Sequence, residues 1–116
     1  MEGCENMRRY STPTLKFQLK GNNVEEALSG TGVLTFGKRN AETDAYEQTF
    51  DLPYTIERDE ENGEVYICVT LTQEQTASYD ADTNAYVQFR SVKDGVSMVS
   101  TITPIRVLPT IKDEAL

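Results

Sequence analysis

The sequence predicts an all-β fold: a small antiparallel sandwich of about seven strands, with a small barrel as the alternative. Three observations predict it. Val, Ile, Thr, Tyr and Phe make up 38 of the 116 residues, and such side chains fit a pleated, half-buried surface. Turn signals recur at short, regular spacing. No stretch carries a helix-length apolar period, and no internal repeat is present.

Taken in order, residues 1–11 are polar and aperiodic, which predicts a flexible N-terminal arm. A single domain follows over 12–108, and 109–116 form a C-terminal tail. Leu15, Phe17 and Leu19 alternate on one face of a first strand, with Pro13 confining its start to an edge position. Gly21, Asn22 and Asn23 make a turn, and residues 24–28 read as a helical turn or an irregular crossing. Residues 31–36 are a strand punctuated by Gly30, Gly32 and Gly37. Residues 38–45 carry no pattern and read as a loop, and 46–52 form a strand ended by Pro53.

Residues 54–59 and 64–71 flank Asn62-Gly63, the dipeptide of a type I′ hairpin. A two-residue closure sets Ile56 against Val69, Arg58 against Ile67, Thr55 against Thr70 and Glu57 against Cys68. One face is then apolar and the other polar. Thr72 to Gln75 has capping-box form and starts a helical turn before Tyr79. A second hairpin closes on Asp94-Gly95 and sets Val87 against Ile102, Phe89 against Ser100 and Ser91 against Met98. Pro104 and Pro109 bracket a last short strand, which must lie at an edge or sheet end. The expected core is Phe17, Phe36, Ile56, Ile67, Val69, Leu71, Val87, Phe89 and Ile102.

Composition excludes much chemistry. The chain has no His, so it holds no Ser-His-Asp triad, Cys-His pair or His-ligated zinc. The formal net charge of -8 argues against nucleic acid or an anionic membrane as partner, since phosphate binding needs a basic field. The N-terminal residues lack the apolar core of a secretory signal. Ala115 breaks the likeness of the last residues to a retention tail. Cys4 and Cys68 are too few for a disulfide framework, and Cys68 reads as a small strand side chain.

The acidic group Glu57, Asp59, Glu60, Glu61 and Glu64 surrounds a hairpin tip, where carboxylates stay solvated rather than perturbed. Asp80, Asp82 and Asn84 open like a calcium loop. The sixth position is Ala85 where Gly is needed, and the twelfth is Ser91 where Glu is needed. No metal, cofactor or small-molecule substrate is therefore expected, and no catalytic residue is assigned. Tyr66 and Tyr86 fall on the polar faces of their strands, as cross-strand packing or as partner contacts. Tyr10 and Ile111 are hydrophobic anchors in the two terminal segments, which are expected to become fixed on neighbouring subunits.

Several segments resemble a group of small proteins encoded by phages and prophages of gut Firmicutes. They are residues 7–17 (Met7-Arg8-Arg9-Tyr10-Ser11-Thr12-Pro13-Thr14-Leu15-Lys16-Phe17), residues 69–76 with Leu71-Thr72-Gln73-Glu74, then Val87-Gln88-Phe89-Arg90, Asp94-Gly95 and the ending Val107-Leu108. The likeness spans most of 7–116, in short pieces, and this chain departs from it by residues 1–6 and by a longer polar insertion at 38–45. It implies an immunoglobulin-like sandwich serving as a non-enzymatic virion subunit of the tail or baseplate region, an oligomer or a partner of other virion proteins. Its expected location is the virion, after synthesis in the bacterial cytoplasm. A free-standing glycan- or protein-binding module and a small phage inhibitor of a host protein are the alternatives.

Overall fold

The structure, a computed structural model, describes Met1 and residues 6–116. The described residues form β1 (Asn6–Arg8), β2 (Thr14–Leu19), α1 (Val24–Leu28), β3 (Thr31–Arg39), β4 (Tyr46–Leu52), β5 (Thr55–Asp59), β6 (Glu64–Thr70), α2 (Gln73–Ala77), β7 (Asn84–Lys93), β8 (Val96–Val99) and β9 (Thr103–Leu108). The larger sheet runs β1-β9-β7-β3-β4, with β8 also paired to β7, and the smaller sheet runs β2-β6-β5. Neither sheet closes into a barrel. In the letters of immunoglobulin domains, β2, β6 and β5 take the B, E and D places, and β9, β7, β3 and β4 take G, F, C and C′. The all-β sandwich is thus the fold.

Period-two alternation builds the core. Leu15 and Phe17 of β2 and Ile67 and Val69 of β6 point inward from the smaller sheet. Leu34 and Phe36 of β3, Ala85, Val87 and Phe89 of β7, and Ile105 and Val107 of β9 meet them from the larger one. α2 carries the expected capping box: Gln75 N–H donates to Thr72 Oγ1 at 3.1 Å and Thr72 N–H to Gln75 Oε1 at 2.9 Å. It lies between Leu71 and Tyr79, which are both buried in the core.

Four expectations are corrected. The first concerns the N-terminal arm, of which residues 2–5, Cys4 among them, lie outside the described residues. Asn6–Arg8 is a strand, parallel to β9 in register Met7↔Val107, and Met7 is buried. One apolar residue in a polar stretch leaves no periodic trace, and the pairing makes the larger sheet mixed rather than purely antiparallel.

The second concerns the Asn62-Gly63 hairpin, whose last pair is Asp59↔Glu64. Residues 60–63 form the loop, and Gly63 (φ 69°) takes the positive φ without Asn62. Asp59 carboxylate oxygens accept from Asn62 N–H at 3.2 Å and Asn62 Nδ2 at 2.9 Å, which holds the turn in another form. The observed pairs are Thr55↔Cys68, Ile56↔Ile67, Glu57↔Tyr66 and Arg58↔Val65. A slip of two keeps every side chain on its expected face.

The third and fourth concern Ile56 and Ile102, which are 44 % and 39 % exposed. Ile56 points to the core side but sits on the edge strand β5, where nearly every position is exposed. Ile102 is displaced by an irregularity. The Asp94-Gly95 hairpin keeps its expected register through Ser91↔Met98 and Arg90↔Val99, with Ser100 N–H on Phe89 O at 2.9 Å. Beyond it Val87 faces Thr103, one residue later than expected. A one-residue slip reverses the faces, so Ile105 and Val107 fill the core instead.

Candidate functional site

The most distinctive surface is the outer face of the larger sheet. On β7 the outward residues are Tyr86, Gln88 and Arg90, alternating with the buried Val87 and Phe89. β3 sets Gly37 opposite Tyr86 and Thr35 opposite Gln88. β4 sets Tyr46 opposite Arg39 and Asp51 opposite Thr35. A bulge shifts the β3–β4 register after Phe36, and Gln48 in it has φ 50°. That bulge twists β4 and brings Tyr46 edge-on to Tyr86, ring centres 5.4 Å apart at 71°.

Gly37 lacks a side chain where one would meet Thr49 Cγ2 at 3.1 Å. The space is the floor of a shallow groove of about 180 Å³, walled by Tyr46, Thr49, Tyr86, Gln88, Arg90 and Ile102. Thr35 Oγ1 donates to Asp51 Oδ1 at 2.6 Å, and Arg90 lies 3.5 Å from the same hydroxyl. Arg39 pairs with Asp44 at 2.9 Å. Asp44, and next a hydrogen bond with Tyr86, hold its guanidinium above its ordinary pKa. Arg106 adds a weaker pair to Asp82 at 3.6 Å. Arg8, Arg39, Arg90 and Arg106 alternate with inward residues on their strands, with Asp44, Asp51 and Asp82 as acidic residues beside them.

The outer face of the smaller sheet is different in kind. Lys16 Nζ lies 2.8 Å from Glu57 and 4.4 Å from the centre of the Tyr66 ring. That hydrogen bond raises the Lys16 pKa and lowers that of Glu57. The Tyr66 hydroxyl bonds to Glu64, which raises its own pKa. Thr14 and Thr70 hydroxyls share a bond of 2.8 Å. Cys68 donates to Glu57 at 3.7 Å, and its pKa is raised, first by burial and then by that carboxylate. A raised thiol pKa is the reverse of what a nucleophile needs.

The four tyrosine and isoleucine positions singled out from sequence are not brought together. Tyr66 and Tyr86 lie on opposite outer faces of the sandwich, and Tyr66 is engaged with its neighbours. Tyr10 (φ 59°) sits at the β1–β2 corner with the Arg9 guanidinium 5.2 Å above its ring. Arg9 in turn donates to Tyr79 O at 2.7 Å and Ala77 O at 3.2 Å, and pairs with Asp113 at 2.8 Å. It therefore clips the end of α2 and the C-terminal tail to the strand corner. Ile111, in that tail, is fully exposed.

Sequence reasoning missed Tyr46, Ile102 and the arginines of the larger sheet. Tyr46 depends on the bulge and Ile102 on the slip, and neither carries a local signal. Among the described residues no three His, Cys, Asp or Glu gather as metal ligands, and no helix is long and apolar enough to cross a membrane. The sequence matches neither a family model nor a curated protein.

Proposed function

We propose that the chain is a non-enzymatic structural subunit of a phage or prophage virion, in the tail or baseplate region, that works by holding neighbouring proteins. The observation that carries the contact-making role is the outer face of the larger sheet. It leaves Tyr46 43 % and Ile102 39 % exposed beside Tyr86, among four arginines, on a chain of net charge -8. Tyr and Arg anchors around a small apolar groove are the composition of interface centres. A partner surface presenting carboxylates suits it. The virion assignment is supported by the resemblance of the sequence segments.

The test is a Tyr46→Ala, Tyr86→Ala double variant and an Arg90→Glu variant, each supplied during particle assembly. Both are expected to keep the melting temperature of the parent chain and to lose incorporation by about tenfold or more. Normal incorporation of both would remove this face from the assembly contact.

A second reading, a free-standing binding module, is favoured by a different feature. A cleft of about 320 Å³ opens between α1 and the β7–β8 hairpin, with Leu19, Phe89 and Met98 as apolar lining and Asn22, Asn23 and Ser100 as polar lining. That size and mixture suit a small ligand. A thermal shift on addition of a glycan library, abolished by Asn22→Ala at an unchanged ligand-free melting temperature, would support that reading.

A further inference from the structure

We propose that the chain pairs with a second copy of itself along β8, edge to edge and antiparallel, so that the two larger sheets become one. β8 is bonded to β7 on one side, and no described residue pairs with its other side. β1 reaches only the Arg106 to Leu108 part of β9, and Met1 bonds to Thr101 and Thr103, outside β8.

The open side is rich in backbone groups. A two-residue turn at Asp94-Gly95 makes Lys93 and Val96 a mutually bonded pair, and bonded pairs alternate along an antiparallel ladder. Ser100 N–H on Phe89 O keeps that phase. The N–H and C=O of Ser97 and Val99 therefore point away from β7.

Edges are commonly guarded by charges, prolines or bulges. β5 carries Glu57, Arg58 and Asp59. β4 carries Glu47, Asp51 and the bulge, and β2 carries Lys16 and follows Pro13. Within Val96–Val99, β8 has no charge, proline or bulge, and the irregularity of this edge comes only beyond Ser100. Residues 95–105 contain no charged residue at all, in a chain with a net charge of -8. Copies repel one another over the acidic remainder, but a seam of β8 with β8 adds no like charges. A two-fold axis normal to the sheet keeps each face on its own side. With Ser97 of one copy bonded to Val99 of the other, Met98 meets Met98 on the core side, and the two Val99 side chains lie diagonally across the seam on the outer side. Val96 and Val99, 61 % and 65 % exposed in the single chain, gain cover.

The experiment is sedimentation equilibrium over a wide concentration range, with amide exchange at Ser97 and Val99, on the parent chain and on Ser97→Pro and Val99→Lys. Ser97→Pro removes one outward donor and leaves the β7 ladder whole; Val99→Lys sets like charges across the seam. The parent is expected to dimerise with concentration, with protection at Ser97 and Val99 rising about tenfold. Both variants should dimerise at least about tenfold more weakly at an unchanged melting temperature. A parent that stays monomeric, a dimer with those two amides unprotected, or a Ser97→Pro chain that dimerises as tightly would each overturn the proposal. So would protection that appears only on adding an uncharged valine-rich peptide, which would assign the edge to a strand from another protein. The pairing rests on this edge and not on the virion reading. A chain that dimerises through β8 but never enters a particle keeps the one and loses the other.

Discussion

The β5–β6 and β7–β8 hairpins look alike in sequence, each closing on a turn dipeptide that ends in Gly, yet they solve opposite problems. β5–β6 opens into a four-residue loop held by Asp59, and its edge strand is charged. Arg58 reaches across to Glu25 of α1, and Glu57 to Lys16 of β2. β7–β8 closes tightly, with Asp94 at φ 51° and Gly95 at φ 79°, and its edge strand is bare. Side chains fix the first hairpin in place from outside the strands; backbone geometry shapes the second. The difference shows that a turn dipeptide marks where a chain reverses, while neighbouring side chains decide how.

The largest test of this contrast lies in the isoleucines. Ile67→Ala should cost about 2–5 kcal/mol, because it empties a fully buried site, whereas Ile56→Ala on the partner strand should cost under about 1 kcal/mol. Ile105→Ala and Ile102→Ala should divide in the same way across the register slip. Urea midpoints at constant slope report all four. Equal losses within either pair would mean that the edge or the slip has been placed wrongly.

A smaller effect separates the turns. Asp94→Val and Gly95→Val both put a β-branched residue at positive φ and should each cost about 1–2 kcal/mol. Gly63→Val should cost a similar amount, but Asn62→Val, outside the left-handed region, should cost about 1 kcal/mol or less. A large loss at Asn62 would restore the tighter turn.

The smallest effect is acid sensitivity confined to β5–β6. Hydrogen bonds from Arg58 to Glu25, Lys16 to Glu57 and Asn62 to Asp59 lower the pKa of all three carboxylates. A lowered folded-state pKa contributes stability that is complete above the ordinary carboxylate range and lost as pH falls through the lowered values. Solvent exposure keeps the contribution small. Amide protection in β5 should fall in that window, and Glu57→Gln should flatten the fall; protection independent of pH would show the ion pairs to be idle.

Much of this fold is legible in the sequence. The alternation of Leu15 with Phe17 and of Val87 with Phe89, the capping box at Thr72 and the Asp94-Gly95 turn are local signals, and local physics realises them. What escapes is set by distant partners. Met7 is a strand residue only because Val107 lies beside it, and Ile102 is outside only because a residue is inserted after Ser100. The outer face of the larger sheet was half legible: alternation places Tyr86 outward, but its neighbour Tyr46 arrives through a bulge that no motif announces.

β1 and β9 carry a consequence for how the molecule is made. Asn6 pairs with Arg106, one hundred residues later, and a ribosome delivers them in that order. Throughout synthesis the first strand has no place to go, and the inward-facing Ile105 and Val107 are among the last core residues to arrive. Contacts of such long range slow folding, so the nascent chain carries an unfinished sheet until β9 emerges. β9 then acts as a latch that closes the core and fastens β1 to the larger sheet in one event.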